Sequence, residues 1–281
     1  MDNVNKPQMF TGELGALKPK VDTRDYKLSV AKTVVFPKTY TIGQPNEDKD
    51  QSNINSCVPH MGGYVREKLY LIRNGVFKRF SVGFLYANRP DLTMQGMYLR
   101  DMFKTLQTVG DVFNEDFDYN LEVPELTDKL QEVGVDKLNA LASSNKILTY
   151  FQVTTPDEIK SAIMNYGYVG IGVPWYNDNG FSVIINADGS VQAVIEKGSD
   201  LAGNHALTIY GWNETGWLIS NSWGLNWGVK DQAILPYTYP IDEAWGSTGE
   251  PKEDIIVPVT NGFMNFILKI ANWFINLFKK K

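Results

Sequence analysis

Three residues of this chain carry the side chains needed for nucleophilic catalysis. Cys57 is the sole cysteine, His205 is one of two histidines, and Asn221 is an amide 16 residues further on. A thiolate can attack a carbonyl carbon, an imidazole can exchange a proton with it, and an amide can fix the orientation and tautomer of the imidazole. His205 lies 148 residues after Cys57, so only the fold can bring the two together.

The positions of His205 and Asn221 follow from a predicted hairpin. Residues 206–210 and 217–220 are rich in β-branched and aromatic side chains, and residues 213–216 between them have turn composition. Two such runs joined by a short turn indicate paired antiparallel strands. The pairing is expected to hold His205 and Asn221 near each other.

Cys57 is predicted at the start of a helix. Pro59 is tolerated in a first turn, and Tyr64, Leu69 and Ile72 recur at helical intervals. The unpaired N–H groups and the positive dipole end of a helix N-terminus favour a thiolate, as does a neighbouring imidazolium. Both effects make the sulfur a better nucleophile near neutral pH.

Taken with Gln51, these residues resemble the papain family of cysteine peptidases. Gln51 lies six residues before Cys57, and Asn221 begins the run Asn-Ser-Trp-Gly-x-x-Trp-Gly. The order of the blocks and their separation are close to the family's roughly 130–150 residues. The resemblance implies an α+β, papain-like two-lobe fold, with a helical lobe and an antiparallel β-barrel-like lobe. It also implies a protein or peptide substrate, with no cofactor and no metal.

The resemblance assigns a role to each motif residue. Cys57 is the nucleophile, and His205 holds its thiolate and then protonates the leaving amine. Asn221 orients His205, Gln51 donates to the oxyanion, and Trp223 covers the bond between Asn221 and His205. The second histidine, His60, is interpreted as structural, because it has no evident partner to orient it.

Substrate binding is predicted at Gly96, Gln95 and Asn204. Many relatives have paired glycines before the second helix, predicted here over residues 95–106, but only Gly96 is present and Gln95 takes the other place. A helix-capping role for Gly96 stays open. Asn204 directly precedes His205.

Composition limits the class of protein. The 281 residues, 43% of them hydrophobic, can form one large domain or two lobes. A net charge of −5, without a large basic stretch before the tail, argues against nucleic acid as a partner. One cysteine excludes an intramolecular disulfide, which is compatible with a reducing compartment. Residues 1–20 lack an apolar run of signal-peptide length, so we expect a cytoplasmic or virion-associated protein.

The predicted organisation has four parts. They are an N-terminal extension (1–19), the papain-like peptidase domain (20–245), a linker (246–261) and a C-terminal amphipathic helix (262–281). The extension is too short for the long prodomain of secreted relatives, and nothing in the sequence requires it to cross the cleft. The compact form without disulfides resembles bacterial or bacteriophage members.

The C-terminal helix has a wide apolar face. Its polar residues, Asn265, Lys269, Asn272 and Asn276, fall within a stripe of about 60°. Three lysines follow, which favour anionic lipid. A membrane surface, a protein partner, self-association and packing on the enzyme's own body are alternatives.

Two functions are predicted. The first is a cysteine endopeptidase that uses the residues above. The alternative is a papain-fold binding or structural protein, such as a virion or membrane-attached component, with reduced or lost proteolysis. Val58 after the cysteine and Gln95 in a glycine position favour the alternative, and the intact set of Gln51, Cys57, His205 and Asn221 favours the first.

Overall fold

The computed structural model describes residues 14–20, 22–23, 25–29 and 34–249. Within these ranges the helices are α1 (Cys57–Asn74), α2 (Val82–Ala87), α3 (Leu99–Thr108), α4 (Glu125–Val133), α5 (Val135–Ser143) and α6 (Pro156–Asn165). The strands are β1 (Tyr40–Thr41), β2 (Thr149–Gln152), β3 (Val169–Tyr176), β4 (Gly180–Ile185), β5 (Val191–Glu196), β6 (Leu201–Trp212), β7 (Gly216–Ser220), β8 (Gln232–Pro236) and β9 (Glu243–Thr248).

Helix α1 is the centre of the helical lobe. It begins at Cys57, as predicted, and ends at Gly75, which takes the left-handed conformation and donates its N–H to the carbonyl of Leu71. All residues from Cys57 to Leu69 are buried, because α2, α3 and strand β6 all pack against the helix. The catalytic cysteine candidate therefore sits at the end of an interior helix, between the two lobes.

The β-lobe is a single sheet in the order β2-β9-β3-β6-β7-β8-β5-β4, with β1 paired to β6. The predicted hairpin is confirmed, since β6 and β7 pair antiparallel with Thr208 opposite Ser220. Aromatic side chains fill this lobe's core, among them the fully buried Trp175 and Trp227. The mixed α+β fold with its large, mainly antiparallel sheet confirms the predicted fold class.

A hydroxyl and a carboxyl group connect the two lobes. Tyr64 on α1 donates to the carbonyl of Asn221 at 3.1 Å and to Oδ2 of Asp231 at 2.8 Å. Both acceptors lie in the loop between β7 and β8: Asn221 is its first residue and Asp231 its last. The bonds fix the helix that carries Cys57 against the segment that carries Asn221.

The structure differs from the sequence prediction in three places. Helices α4 and α5 were not predicted, and strand β9 continues to Thr248, past the predicted linker start at residue 246. Helix α3 begins at Leu99 with Tyr98 as its N-cap, so the helix-capping interpretation of Gly96 is wrong. Gly96 instead has a φ of +87° in the preceding loop, a conformation that favours glycine.

The predicted C-terminal helix at residues 262–281 lies outside the described residues, so its surface-binding role stays a prediction. In the part of the chain that the structure describes, no helix is both long and apolar enough to cross a bilayer.

Candidate active site

Cys57 lies at the first position of α1 with none of its surface exposed. Its Sγ accepts a hydrogen bond from the backbone N–H of Gly15 at 3.3 Å. Burial raises the pKa of the thiol to about 11, and backbone N–H groups, those of Ala206 and Gly15 first, oppose that rise. In this state the sulfur is a neutral thiol at physiological pH.

His205 and Asn221 form a short, buried hydrogen bond. Nε2 of His205 lies 2.6 Å from Oδ1 of Asn221, and the same oxygen accepts the backbone N–H of Ser222 at 2.8 Å. Because that oxygen is an acceptor, Nε2 carries the ring proton and Nδ1 is the basic nitrogen. Among the described residues Nδ1 has no hydrogen-bond partner. Burial lowers the pKa of His205 to about 4, although the hydrogen bond that its ring donates to Asn221 opposes this shift.

Two tryptophans enclose the imidazole. Trp223 stacks on His205 with ring centroids 4.3 Å apart and an interplanar angle of 23°. Trp175, on β3, contacts the same ring edge-on at 5.4 Å. Trp223 thus covers the ring next to its bond with Asn221 and keeps that bond out of water.

Gln51 is buried and joins the loop before α1 to the segment after β7. Its N–H donates to the carbonyl of Ser222 at 2.8 Å, and its Oε1 accepts the Ser222 hydroxyl at 2.7 Å. Its Nε2 donates to the carbonyl of Ile54 at 2.8 Å. The side chain is therefore held in one orientation, within six residues of Cys57.

An N-terminal segment, residues 14–20, lies in the cleft. The Gly15 carbonyl accepts the Met97 N–H at 2.8 Å, and the Leu17 N–H donates to the Met97 carbonyl at 3.0 Å. This is a parallel bridge between Ala16 and Met97. The segment continues from there to Lys20, beside Tyr98. A chain in the cleft thus pairs with the backbone of Met97 and reaches Cys57.

The cleft segment fits too closely for a side chain at Gly15. A Cβ on this residue would collide with the carbonyl of Asn55, and a Cβ on Gly96 would collide with the carbonyl of Gly15. Both contacts are with backbone, which cannot yield as a side chain can. The close approach depends on glycine at both positions.

The predicted substrate-binding residues lie in different surroundings. Gly96 is buried, and its N–H donates to the Tyr86 hydroxyl at 3.2 Å. Gln95 is exposed, two residues before the pairing residue Met97. Asn204 is half-buried and donates from Nδ2 to Asp242 Oδ2 at 3.3 Å. Met97 was not predicted from the sequence, because its contact with the cleft segment is through the backbone.

His60 is held by the helix on which it lies. It is buried, and its Nδ1 lies 2.8 Å from the carbonyl of Ser56. Burial lowers its pKa to about 3. These contacts fit the structural interpretation.

The arrangement as a whole suits acyl transfer by a thiol and an imidazole. Cys57 and His205 are both buried, Nδ1 of His205 is the basic ring nitrogen, and the other ring nitrogen is fixed by an amide. No group of three or more His, Cys, Asp or Glu side chains within the described ranges could hold a metal ion.

Comparisons with known proteins agree with this chemistry. The family model described as papain family cysteine protease matches residues 47–232. The chain resembles the crystal structure of xylellain, a cysteine protease from Xylella fastidiosa, with a TM-score of 0.71 and 20% identity over 87% of this chain and 100% of that one. It also resembles procathepsin B from Trypanosoma congolense, with a TM-score of 0.64 and 14% identity over 85% of this chain and 87% of that one.

A viral protein shares a shorter stretch of sequence. An uncharacterized peptidase C1-like protein of Acanthamoeba polyphaga mimivirus is 33% identical over 63 residues, which cover 22% of this chain and 20% of that protein. The match therefore spans about a fifth of the viral protein's length. With the family model covering well over half of the chain, this protein belongs to the papain family of cysteine proteases.

Proposed function

We propose that this protein is a cysteine endopeptidase in which Cys57 and His205 form the catalytic pair. The observation that carries the proposal is the 2.6 Å bond between His205 Nε2 and Asn221 Oδ1, because it leaves Nδ1 as the basic nitrogen of the ring. The N–H of Ala206, the residue after His205, lowers the pKa of the Cys57 thiol and so lies beside the sulfur. Cys57 therefore lies beside the residue that follows His205 on strand β6.

The reaction begins with a proton transfer. Nδ1 of His205 takes the proton of the Cys57 thiol, and the thiolate attacks the carbonyl carbon of the substrate. The carbonyl π electrons move onto oxygen, and the imidazolium then gives its proton to the leaving amine as the C–N bond breaks. Water, deprotonated by His205, hydrolyses the resulting thioester and releases the thiol.

Gln51 and the backbone N–H of Cys57 stabilise the oxyanion in this proposal. The amide group of Gln51 has two protons, so its bond to the Ile54 carbonyl is compatible with a second donated bond. Removing one oxyanion donor typically costs about two to three orders of magnitude in turnover.

A substrate must take the place of the cleft segment. The Gly15 N–H donates a hydrogen bond to the Cys57 sulfur. The backbone of Met97, which would pair with a substrate peptide, is already bonded to Gly15 and Leu17. Once the segment leaves, water reaches both groups, which removes the burial that keeps the thiol and the imidazole neutral. We propose that the covered state is the resting state and that the thiolate–imidazolium pair forms after the segment is displaced.

The alternative function, a binding protein without proteolysis, is favoured by one observation. Cys57 has no exposed surface and a raised thiol pKa, and both would be permanent if the segment never left the cleft.

One experiment separates the two functions. The full chain and its Gly15→Val variant are incubated with a peptidyl epoxide directed at papain-like enzymes, and the adduct is detected by intact mass. We expect a single adduct that is absent in Cys57→Ala and strongly slowed in His205→Ala. A small thiol reagent tests whether Cys57 can be reached. If that reagent modifies Cys57 in both proteins while the epoxide modifies neither, the endopeptidase proposal is wrong.

A further inference from the structure

Asn221, whose side chain is bonded to His205, lies just beyond the sheet. Strand β7 ends at Ser220, so the strand pairs of the sheet stop one residue before Asn221. Its carboxamide is held through Oδ1, which accepts from His205 and from the Ser222 N–H. Within the described ranges, Nδ2 has no hydrogen-bond partner. The direction of the carboxamide therefore depends on where the backbone of Asn221 is placed.

Tyr64 and Asp231 hold both backbone groups of Asn221. The Tyr64 hydroxyl lies 3.1 Å from the Asn221 carbonyl oxygen, and the Asn221 N–H donates to the Asp231 carbonyl at 3.0 Å. The same hydroxyl lies 2.8 Å from Oδ2 of Asp231. We call these three contacts the Tyr64–Asp231 link. Because they form a closed circuit, Asn221 cannot move without lengthening at least one of them.

Asp231 also holds the backbone of the tryptophan that stacks on His205. Its Oδ1 accepts the Trp223 N–H at 3.4 Å, and only 2% of Asp231 is exposed. Asp231 has a φ of +63°, a left-handed conformation that is uncommon for residues other than glycine. Such a backbone persists only where the surrounding contacts fix it, and it is often found at functional sites. Two neighbours of the imidazole thus depend on one buried carboxyl group.

Helix α1 carries both the nucleophile and the tyrosine of the link. Tyr64 lies seven residues after Cys57, which is about two helical turns, and both side chains are buried. If the helix shifts against the β-lobe, the Tyr64 hydroxyl pulls Asn221 in the same direction. The link therefore couples the position of the orienting amide to the helix that positions the sulfur.

We infer that Tyr64 and Asp231 are positioning residues for the reaction, and that they act through the backbone of Asn221 to hold His205 in its catalytic orientation. The inference rests on the proposed peptidase function. Neither side chain touches the reacting atoms in that mechanism. A small displacement of Asn221 would turn the imidazole away from the thiol and slow the chemical step, whereas substrate binding would be largely unchanged.

The test measures labelling of Cys57 by a peptidyl epoxide directed at papain-like enzymes, over a range of epoxide concentrations, by intact mass. The rate at saturation reports the chemical step, and the concentration that gives half of this rate reports binding. At saturation the probe has displaced the cleft segment, so the opening of the cleft does not enter the comparison. Tyr64→Phe keeps the aromatic ring in the core and removes only the hydroxyl. We expect its saturated rate to fall about tenfold, with binding changed less than about twofold.

A matched tyrosine separates positioning from general stability. Tyr168 belongs to the same hydrophobic cluster as Tyr64, is 3% exposed and donates its hydroxyl to the Gly43 carbonyl at 2.7 Å. Tyr168→Phe therefore removes an equally buried hydroxyl from a backbone carbonyl. Both variants should lose similar stability in thermal unfolding, but only Tyr64→Phe should label slowly at saturation. Equal saturated rates in Tyr64→Phe and the full chain would overturn the inference while leaving the peptidase function intact.

A second variant tests the carboxyl group of the link. Asp231→Asn keeps the size of the side chain, and asparagine tolerates the left-handed conformation, but one acceptor oxygen becomes an amide donor. Asp111→Asn is its control, because Asp111 is also fully buried and accepts the Val112 N–H instead. We expect slow labelling in Asp231→Asn alone. If Tyr64→Phe does not fold, this comparison decides, and an unchanged rate in Asp231→Asn would overturn the inference.

The double variant tests whether the two residues act together. Because both belong to one link, Tyr64→Phe combined with Asp231→Asn should label no more slowly than the slower single variant. Fold-changes that multiply would mean that the two side chains act separately, and the link would be refuted. If the epoxide does not label Cys57 even in the full chain, while a small thiol reagent does, the peptidase function fails and the inference fails with it.

Discussion

The back and the front of the active site are built by different parts of the chain. At the back, His205 is bonded to Asn221 and stacked on Trp223, and all three are buried in the β-lobe or at its edge. At the front, Cys57 is covered by Gly15, part of an N-terminal segment that pairs with Met97 through its backbone. The back depends on the packed core, whereas the front depends on a few hydrogen bonds.

The two kinds of contact differ in strength. An intramolecular hydrogen bond contributes a net of only about 0.5–1.5 kcal/mol, so a handful of them can be broken without unfolding the protein. Removing a large aromatic side chain from the core costs about 3–5 kcal/mol. We therefore expect the imidazole to keep its geometry while access to the thiol changes with the position of the segment.

The largest expected effect comes from the back of the site. Asn221→Ala removes the acceptor for His205 Nε2, which frees the ring to rotate and leaves a buried donor unpaired. We expect the turnover number to fall by about two to three orders of magnitude, less than the roughly 10⁴-fold loss for the charged orienting group of a Ser-His-Asp triad, because Asn221 is neutral. Asn165→Ala, at an exposed position, is the control and should leave turnover unchanged. Equal turnover in both variants would mean that Asn221 does not orient the base.

A pH titration tests the front of the site. With a thiol pKa of about 11, Cys57 should be only about 1% ionised at pH 9, since each pH unit below the pKa lowers the thiolate fraction tenfold. The ultraviolet absorbance of the thiolate, taken as the difference between the full chain and Cys57→Ala, measures this fraction. A clear step in absorbance below pH 9 would contradict the covered state, because the burial that raises the pKa would then be absent.

Displacing the cleft segment should convert the covered state of Cys57 into a state in which reagents reach the thiol. Gly15→Val has no room beneath the Asn55 carbonyl, so the segment is expected to leave the cleft while the back of the site keeps its contacts. We expect labelling of Cys57 by a peptidyl epoxide to become about tenfold faster, which corresponds to roughly 1.4 kcal/mol of lost segment binding. Lys18→Val introduces the same side chain at an exposed position of the segment and should have little effect. Slower labelling in Gly15→Val would show that the segment supports the site instead of covering it.

The sequence predicted the back of the site well because its signals are local. The hairpin of β6 and β7 follows from alternating strand residues and a turn, and helix α1 follows from its apolar spacing and Pro59. Cys57 begins α1, Asn221 directly follows β7, and His205 lies within β6. Their positions follow from those elements.

The front of the site was not predictable in the same way. The cleft segment binds through the backbone of Gly15 and Met97, and backbone contacts leave almost no trace in side-chain patterns. This contact arises from long-range packing.

The smallest expected effect separates stacking on His205 from general packing. Trp223→Phe keeps an aromatic ring over the imidazole but covers less of it, so more water reaches the bond between His205 and Asn221. We expect turnover to fall about threefold, or roughly 0.7 kcal/mol in the barrier. Trp227→Phe is the matched control, because Trp227 is buried in the same aromatic cluster, 6.0 Å from Trp223. Both variants should lose similar stability in thermal unfolding, but only Trp223→Phe should lose turnover. If turnover follows stability in both, Trp223 acts as core packing alone, and the back of the site is held by the Asn221 bond without help from the stacked indole.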